Sequence, residues 1–139
     1  ALSVIERLRH FGIPDYLIAD SVRAFIGLRL VRRIDTHQTE TYTPNAEELA
    51  KAGLTLSDGP FVRGVPTPGN GNTGFSGRVS LIEIVEATPE LRRKIAEGGS
   101  ITELATIAFS QGGSLREEAR RHIHAGRITV EDANWALYD

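Results

Sequence analysis

Arg29, Arg32 and Arg33 form the densest basic cluster of the chain, with Arg23 ahead of them. A guanidinium presents its N–H donors in a planar fork. Arginines held on a strand can therefore grip a phosphate or the carboxylates of a neighbouring subunit. The same charges on an edge strand also discourage unwanted strand pairing. Both readings stay open from the residues alone, and Arg29, Arg32 and Arg33 are the candidate anion contacts. Arg92-Arg93-Lys94 and Arg116, Arg120 and Arg121 fall in helical segments and read as charged helix faces. Glu117 and Arg121 add a favourable i,i+4 pair.

Other constellations carry less chemistry. Gly69-Asn70-Gly71-Asn72-Thr73-Gly74 fits G-x-G-x-x-G. That pattern cradles a pyrophosphate when it follows a strand and opens a helix. Here it follows a Pro-rich loop and leads into the apolar run Val79–Val85, so it reads as a glycine-rich turn. No G-x-x-x-x-G-K-[ST] phosphate loop and no G-x-S-x-G nucleophile elbow occurs. His122 and His124 are two apart, which on a helix aims them at different faces, and no H-E-x-x-H is present. Asp35 and His37 could bring together two metal ligands, where zinc needs three or four. Glu83 and Glu86 read as a carboxylate pair or as a solvated strand edge. No residue of this chain is assigned a catalytic role, and none a metal.

These residues must be positioned by elements the sequence punctuates well. Leu2, Ile5, Leu8 and Phe11 recur at helical spacing, and Gly12 stops that helix. Pro14 and Asp15 open a second helix expected to carry Leu17, Ile18, Val22, Phe25 and Ile26 and to end near Gly27. A strand is expected over Leu28–Ile34, with Leu28, Leu30 and Ile34 as candidates for one side and Arg29 and Arg33 less buried. Residues 35–75 are rich in Thr, Pro, Gly and Asn. One helix is predicted there, Ala46–Ala52 with Gly53 as its cap. The remainder reads as loop from Leu54 to Phe75, with a short strand at Phe61-Val62. A second strand covers Val79–Val85. Thr88-Pro89, the capping boxes Ser100–Glu103 and Ser114–Glu117, and Thr129 then start four helices.

Composition narrows the class. Hydrophobic residues make up 40% and charged residues 24%, a balance that reads as soluble and globular. The net charge of −2 offers no field to attract nucleic acid or anionic lipid. The absence of cysteine removes disulfides and thiolate metal sites. No apolar run approaches the roughly 20 residues that span a bilayer. The chain opens on Ala1 and holds no methionine, from which a piece of a longer protein is expected.

In this order the segments resemble the C-terminal part of the type II secretion and type IV pilus assembly ATPases, hexameric motors with RecA-like cores. Ala1–Gly12, through Val4-Ile5-Glu6-Arg7-Leu8, is similar to the helix after the family's His box. Pro14–Arg33, ending Leu30-Val31-Arg32-Arg33, is similar to the helix and strand that follow. Thr73-Gly74-Phe75-Ser76-Gly77-Arg78 and then Glu83 match the family's T-G-Y-x-G-R-x-x-x-x-E signature. Gly112–Glu118 and Ala125–Glu131 are similar to its last two helices. Many family members carry a zinc loop with two C-x-x-C pairs at this place. The corresponding positions here are Asp35 and Gln38, then Thr67 and Asn70, which lack soft ligands. No zinc is therefore expected, and the loop is held otherwise or is mobile.

The resemblance implies an α+β, mostly helical chain. Residues 1–34 and 76–87 would form the antiparallel edge of a RecA-like ATPase domain. Residues 35–75 would be an insertion, and 88–139 a C-terminal helical bundle. For the complete protein it implies ATP and Mg bound by motifs upstream, with this piece inactive alone. It further implies a cytoplasmic homo-hexamer, peripheral to the inner membrane through secretion or pilus platform proteins. No nucleic acid and no direct membrane insertion are expected. Two alternatives come from other classes: a free-standing helical interaction module, and phosphate-backbone binding by Arg116, Arg120 and Arg121.

Overall fold

The helical spacing of Leu2, Ile5 and Leu8 forms α1, Ser3–His10, in the computed structural model, which describes residues 1–138. Pro14 starts α2, Asp15–Ser21, and its carbonyl accepts from the amides of Leu17 and Ile18. This helix stops well before Gly27. Val22 is already extended, and Phe25 and Ile26 belong to β1, Ala24–Ile34. The reason is tertiary: Phe25 buries its ring from the strand, and the Arg23 carbonyl accepts from Ala87 N at 2.9 Å. β1 pairs with β4, Phe75–Glu86. The Ala87–Arg23 bond closes one end of the pair and a 2.9 Å bond from Asp35 N to Gly74 O the other, so the strands run antiparallel.

The expected inward side of β1 is corrected. Leu28 and Leu30 are exposed; Ile34 is buried as expected, and Val31 is buried with it. The stretch from 35 to 75 also holds more order than a loop. Thr39–Tyr42 forms β2 and Phe61–Gly64 forms β3, paired antiparallel with Thr39 opposite Gly64 and Tyr42 opposite Phe61. Between them α3 spans Ala46–Ala52, where Asn45 accepts from the amides of Glu47 and Glu48 and Gly53 is left-handed at the C-cap. Short 3₁₀ turns occupy Leu56–Asp58 and Pro68–Asn70.

The C-terminal part contains α4 (Pro89–Ala96), α5 (Ile101–Ala108), α6 (Leu115–His124) and α7 (Val130–Tyr138). Thr88, Ser100 and Thr129 cap α4, α5 and α7 as their sequence positions predict. α5 ends at Ala108. These four helices do not make one domain over 88–139. The chain divides into a unit of Ala1–Leu28 with Ile82–Ser114 and a unit of Arg29–Leu81 with the chain from Leu115.

The first unit therefore contains α1, α2, α4 and α5. Its core is Leu2, Ile5, Ile18, Ala19, Phe25, Val85, Leu91, Ile95 and Leu104. Arg9 ties α1 to its surroundings through Asp15 Oδ1 at 2.7 Å and the Gly99 carbonyl at 2.9 Å. The second unit contains β2, β3, α3, α6 and α7. Its core includes Val31, Leu49, Phe61, Leu81, Ile123, Ile128, Val130 and Ala133. Arg116 Nη2 donates to the Lys51 carbonyl and Arg120 Nη2 to the Gly53 carbonyl, each at 2.7 Å. A cation placed at the C-terminal carbonyls of α3 opposes the partial negative charge there. Arg121 pairs with Glu118. Arg116, Arg120 and Arg121 each have a partner within the unit.

Candidate functional site

The three clustered arginines separate. Arg32 forms a two-pronged pair with Asp132, Nε to Oδ2 at 2.8 Å and Nη2 to Oδ1 at 2.7 Å. Its guanidinium also lies over the Phe75 ring, 4.0 Å from the centroid. The Asp132 hydrogen bond raises the Arg32 pKa beyond its already high value. Asp132 sits in the first turn of α7, three residues after the Thr129 cap, so the helix N-terminus favours its charge as well. Arg32, Arg78, Leu30, Glu131, Asp132 and Trp135 line a cleft of about 550 Å³. Trp135 is largely exposed there.

Arg33 faces a different cleft. Its Nε donates to the Ser76 carbonyl at 2.9 Å. Arg33, Thr36, Arg78, Val79 and Arg127 line a space of about 490 Å³. A backbone bond from Ile34 N to Arg127 O, at 2.9 Å, brings Arg127 next to Arg33. Among the described residues three guanidiniums and no carboxylate line this cleft, so the arrangement suits an anion, whether phosphate or carboxylate. Arg29 lies exposed on β1 and does not line either cleft. Sequence reading missed Arg127, because nothing in the turn after α6 announces what its backbone meets.

Beside these clefts, Tyr42 of β2 donates its hydroxyl to Glu131 Oε2 at 2.6 Å and accepts from Val130 N at 3.4 Å. Burial, and then the Glu131 carboxylate, push its pKa above the ordinary phenol value. Glu83 and Glu86 form no carboxylate pair. Glu83 is buried, whereas Glu86 is exposed.

Asn70 is the centre of a dense set of bonds. Its Oδ1 accepts from the amides of Thr67 (2.9 Å), Thr73 (3.2 Å) and Gly74 (3.1 Å). Its Nδ2 donates to Asp35 Oδ2 and to the Val65 carbonyl, both at 2.9 Å. Acceptors surround one end of the amide and donors the other, so only one orientation satisfies the network. Asp35 Oδ1 accepts from His37 N at 3.1 Å and lies 2.8 Å from His37 Nδ1. The Thr-Gly signature enters the same node. Thr73 Oγ1 donates to the Asn70 carbonyl at 2.7 Å, and Gly74 is left-handed at φ +77°. A Cβ on Gly74 would stand 2.4 Å from the Gly64 carbonyl oxygen, which explains why no side chain fits there.

Hydrogen bonds from Asn70, and then from His37, hold the Asp35 carboxyl at about 2. The ordinary aspartate value in an unfolded chain is about 3.9. The folded value is the lower one, so Asp35 contributes stability above the unfolded value and loses it as pH falls through about 2. A carbon-detected NMR titration is expected to find the Asp35 midpoint near 2. Asn70→Ala should move it up toward the ordinary value, and an unmoved midpoint would deny the coupling.

Comparison with known proteins is consistent along the chain. A family model described as type II/IV secretion system protein matches residues 1–135. Type II secretion system protein HxcR of Pseudomonas aeruginosa is 32% identical over 133 residues, covering 95% of this chain and 25% of that protein. Type IV pilus assembly ATPase PilB of the same organism is 30% identical over 142 residues, covering 100% of this chain and 25% of that protein. PilB of Thermus thermophilus is 29% identical over 136 residues, covering 95% of this chain and 15% of that protein. The chain thus spans about a quarter or less of the length of these relatives. Among the described residues no helix is long and apolar enough to cross a membrane.

Proposed function

The chain belongs to the type II/IV secretion system protein family, and from that premise we propose that it is the C-terminal region of a hexameric ATPase. Relatives named as a type IV pilus assembly ATPase and as type II secretion proteins carry this reading. In it, ATP and Mg are bound by a phosphate loop and acidic residues upstream, in the RecA-like core of the complete, cytoplasmic protein. The present residues contain no such loop.

The exposed side of the strand pair in the first unit supports a larger assembly. Ile26 is 68% exposed, Leu28 51%, Ile82 42% and Ile84 64%. Apolar side chains gathered on one sheet face mark a surface that meets other protein. The rest of the RecA-like core is the proposed cover. The cleft of Arg33, Arg78 and Arg127 offers the contact first sought at Arg29, Arg32 and Arg33, to a nucleotide phosphate or to a neighbouring subunit's carboxylate. Closure of the ring around ATP would then move this region against inner-membrane partners.

The test is direct. The reading frame upstream of Ala1 should encode G-x-x-x-x-G-K-[ST], and the complete protein should hydrolyse ATP while residues 1–139 alone do not. Arg78→Gln with Arg127→Gln should lower the turnover of the complete protein by about tenfold, the size of one lost charge-assisted contact. A complete protein without that loop, or without ATP hydrolysis, rules the reading out.

A further inference from the structure

By the resemblance, Asp35, Gln38, Thr67 and Asn70 correspond to the cysteines of a zinc loop, and hydrogen bonds link the segments that carry them. Val65 N donates to the Gln38 carbonyl at 2.9 Å, and Asp35 N to the Gly74 carbonyl at 2.9 Å. Asn70 Nδ2 reaches Asp35 Oδ2 at 2.9 Å, and Thr67 N reaches Asn70 Oδ1 at 2.9 Å. Bonds across the insertion thus run from Asp35 to Asn70 and Gly74 and from Gln38 to Val65, with Thr67 held to Asn70 on its own side.

The donors at these positions do not fit zinc. Zinc takes thiolate, imidazole or carboxylate, four in a structural site. An amide nitrogen has no lone pair to give, and Asn70 Nδ2 spends its hydrogens on Asp35 and Val65. Both Asp35 oxygens already accept hydrogen bonds. His37 and Asp35 provide two ligands, and among the described residues no group of three or more His, Cys, Asp or Glu gathers at metal distance.

We propose that the Asp35–Asn70 node is a metal-free replacement for the zinc clamp, closing the insertion with hydrogen bonds at the positions where a metal would otherwise join the two ends. The two ends are joined by backbone bonds and by the amide–carboxylate bond between Asn70 and Asp35. The insertion then needs neither zinc nor reduced thiols to hold its shape. This inference does not depend on the motor reading above; it concerns only residues 35–75.

The experiment compares the native chain with a variant carrying Asp35→Cys, Gln38→Cys, Thr67→Cys and Asn70→Cys. The native chain, purified with zinc in the medium, should hold no stoichiometric zinc. Its melting midpoint and the hydrogen-exchange rates of the Thr67, Thr73 and Gly74 amides should not change when a strong chelator is added. The fourfold variant, refolded under reduction with zinc or cobalt, should take up one metal ion per chain and show the visible bands of tetrahedral cobalt thiolate. Its midpoint should rise with free zinc, as ligand linkage requires. Stoichiometric zinc in the native chain, or chelator-accelerated exchange of those amides, overturns the proposal without reference to any variant. A variant that folds by circular dichroism yet binds no metal overturns it too, because the four positions would then not converge.

Discussion

Asn70→Ala is expected to lower the stability of the second unit by about 2–3 kcal/mol, from several lost hydrogen bonds of about 0.5–1.5 kcal/mol each, reduced where water can replace them. The change removes the acceptor for Thr67 N, Thr73 N and Gly74 N and the donor to Asp35 and Val65. Chemical denaturation followed by circular dichroism measures the total. Native-state hydrogen exchange locates it: the Thr67, Thr73 and Gly74 amides should lose protection, while amides of α1 and α5 in the first unit should keep theirs. Asn70→Asp separates shape from hydrogen bonding. It preserves the acceptor but sets a second carboxylate against Asp35, so at neutral pH it should destabilise at least as much as alanine. Acidification to about pH 4 should recover part of the loss, since one protonated carboxyl can donate to the other. If both variants melt with the native chain, the node does not hold the insertion.

That node shows where sequence reading stops. The helix starts were legible because a cap acts within one turn: Thr88, Ser100 and Thr129 bond to amides three residues on. β2 was not legible. Thr39-Glu40-Thr41-Tyr42 has no apolar alternation, and its pairing depends on β3, across the whole of α3. The end of α2 was misplaced for a related reason, since Phe25 and Ile26 satisfy helical spacing locally and only their pairing partner decides for strand. Leu28 and Leu30 looked internal because they are leucines, yet their side of the strand pair is the exposed one. The glycine-rich stretch was readable as a turn, but not Asn70 as its centre, because the bond to Asp35 crosses 35 residues of sequence. The arginine cluster was legible as charge and not as geometry. Arg32 turns to Asp132, a hundred residues away, and Arg33 to the cleft shared with Arg78 and Arg127.

The Arg32–Asp132 pair should respond asymmetrically to mutation. The Asp132 side chain is 12% exposed and that of Arg32 60%. Arg32→Ala leaves a largely buried carboxylate without its fork and should cost about 2–3 kcal/mol, the range for stranding one partner of a partly buried charged pair. Asp132→Ala leaves a guanidinium that water can reach and that still stacks on Phe75, so about 1 kcal/mol is expected. The helix N-terminus softens the first loss, because the α7 amides favour a carboxylate at Asp132 even without Arg32. Arg32→Lys keeps the charge but cannot make two parallel bonds, and should fall between native and alanine. The double variant should lie closer to Asp132→Ala than to the sum of the singles, since removing both groups strands neither. Denaturation midpoints of the variants give the cycle directly. Equal single losses that add in the double variant would mean that Arg32 and Asp132 stabilise the unit separately, with no coupling through their shared bonds.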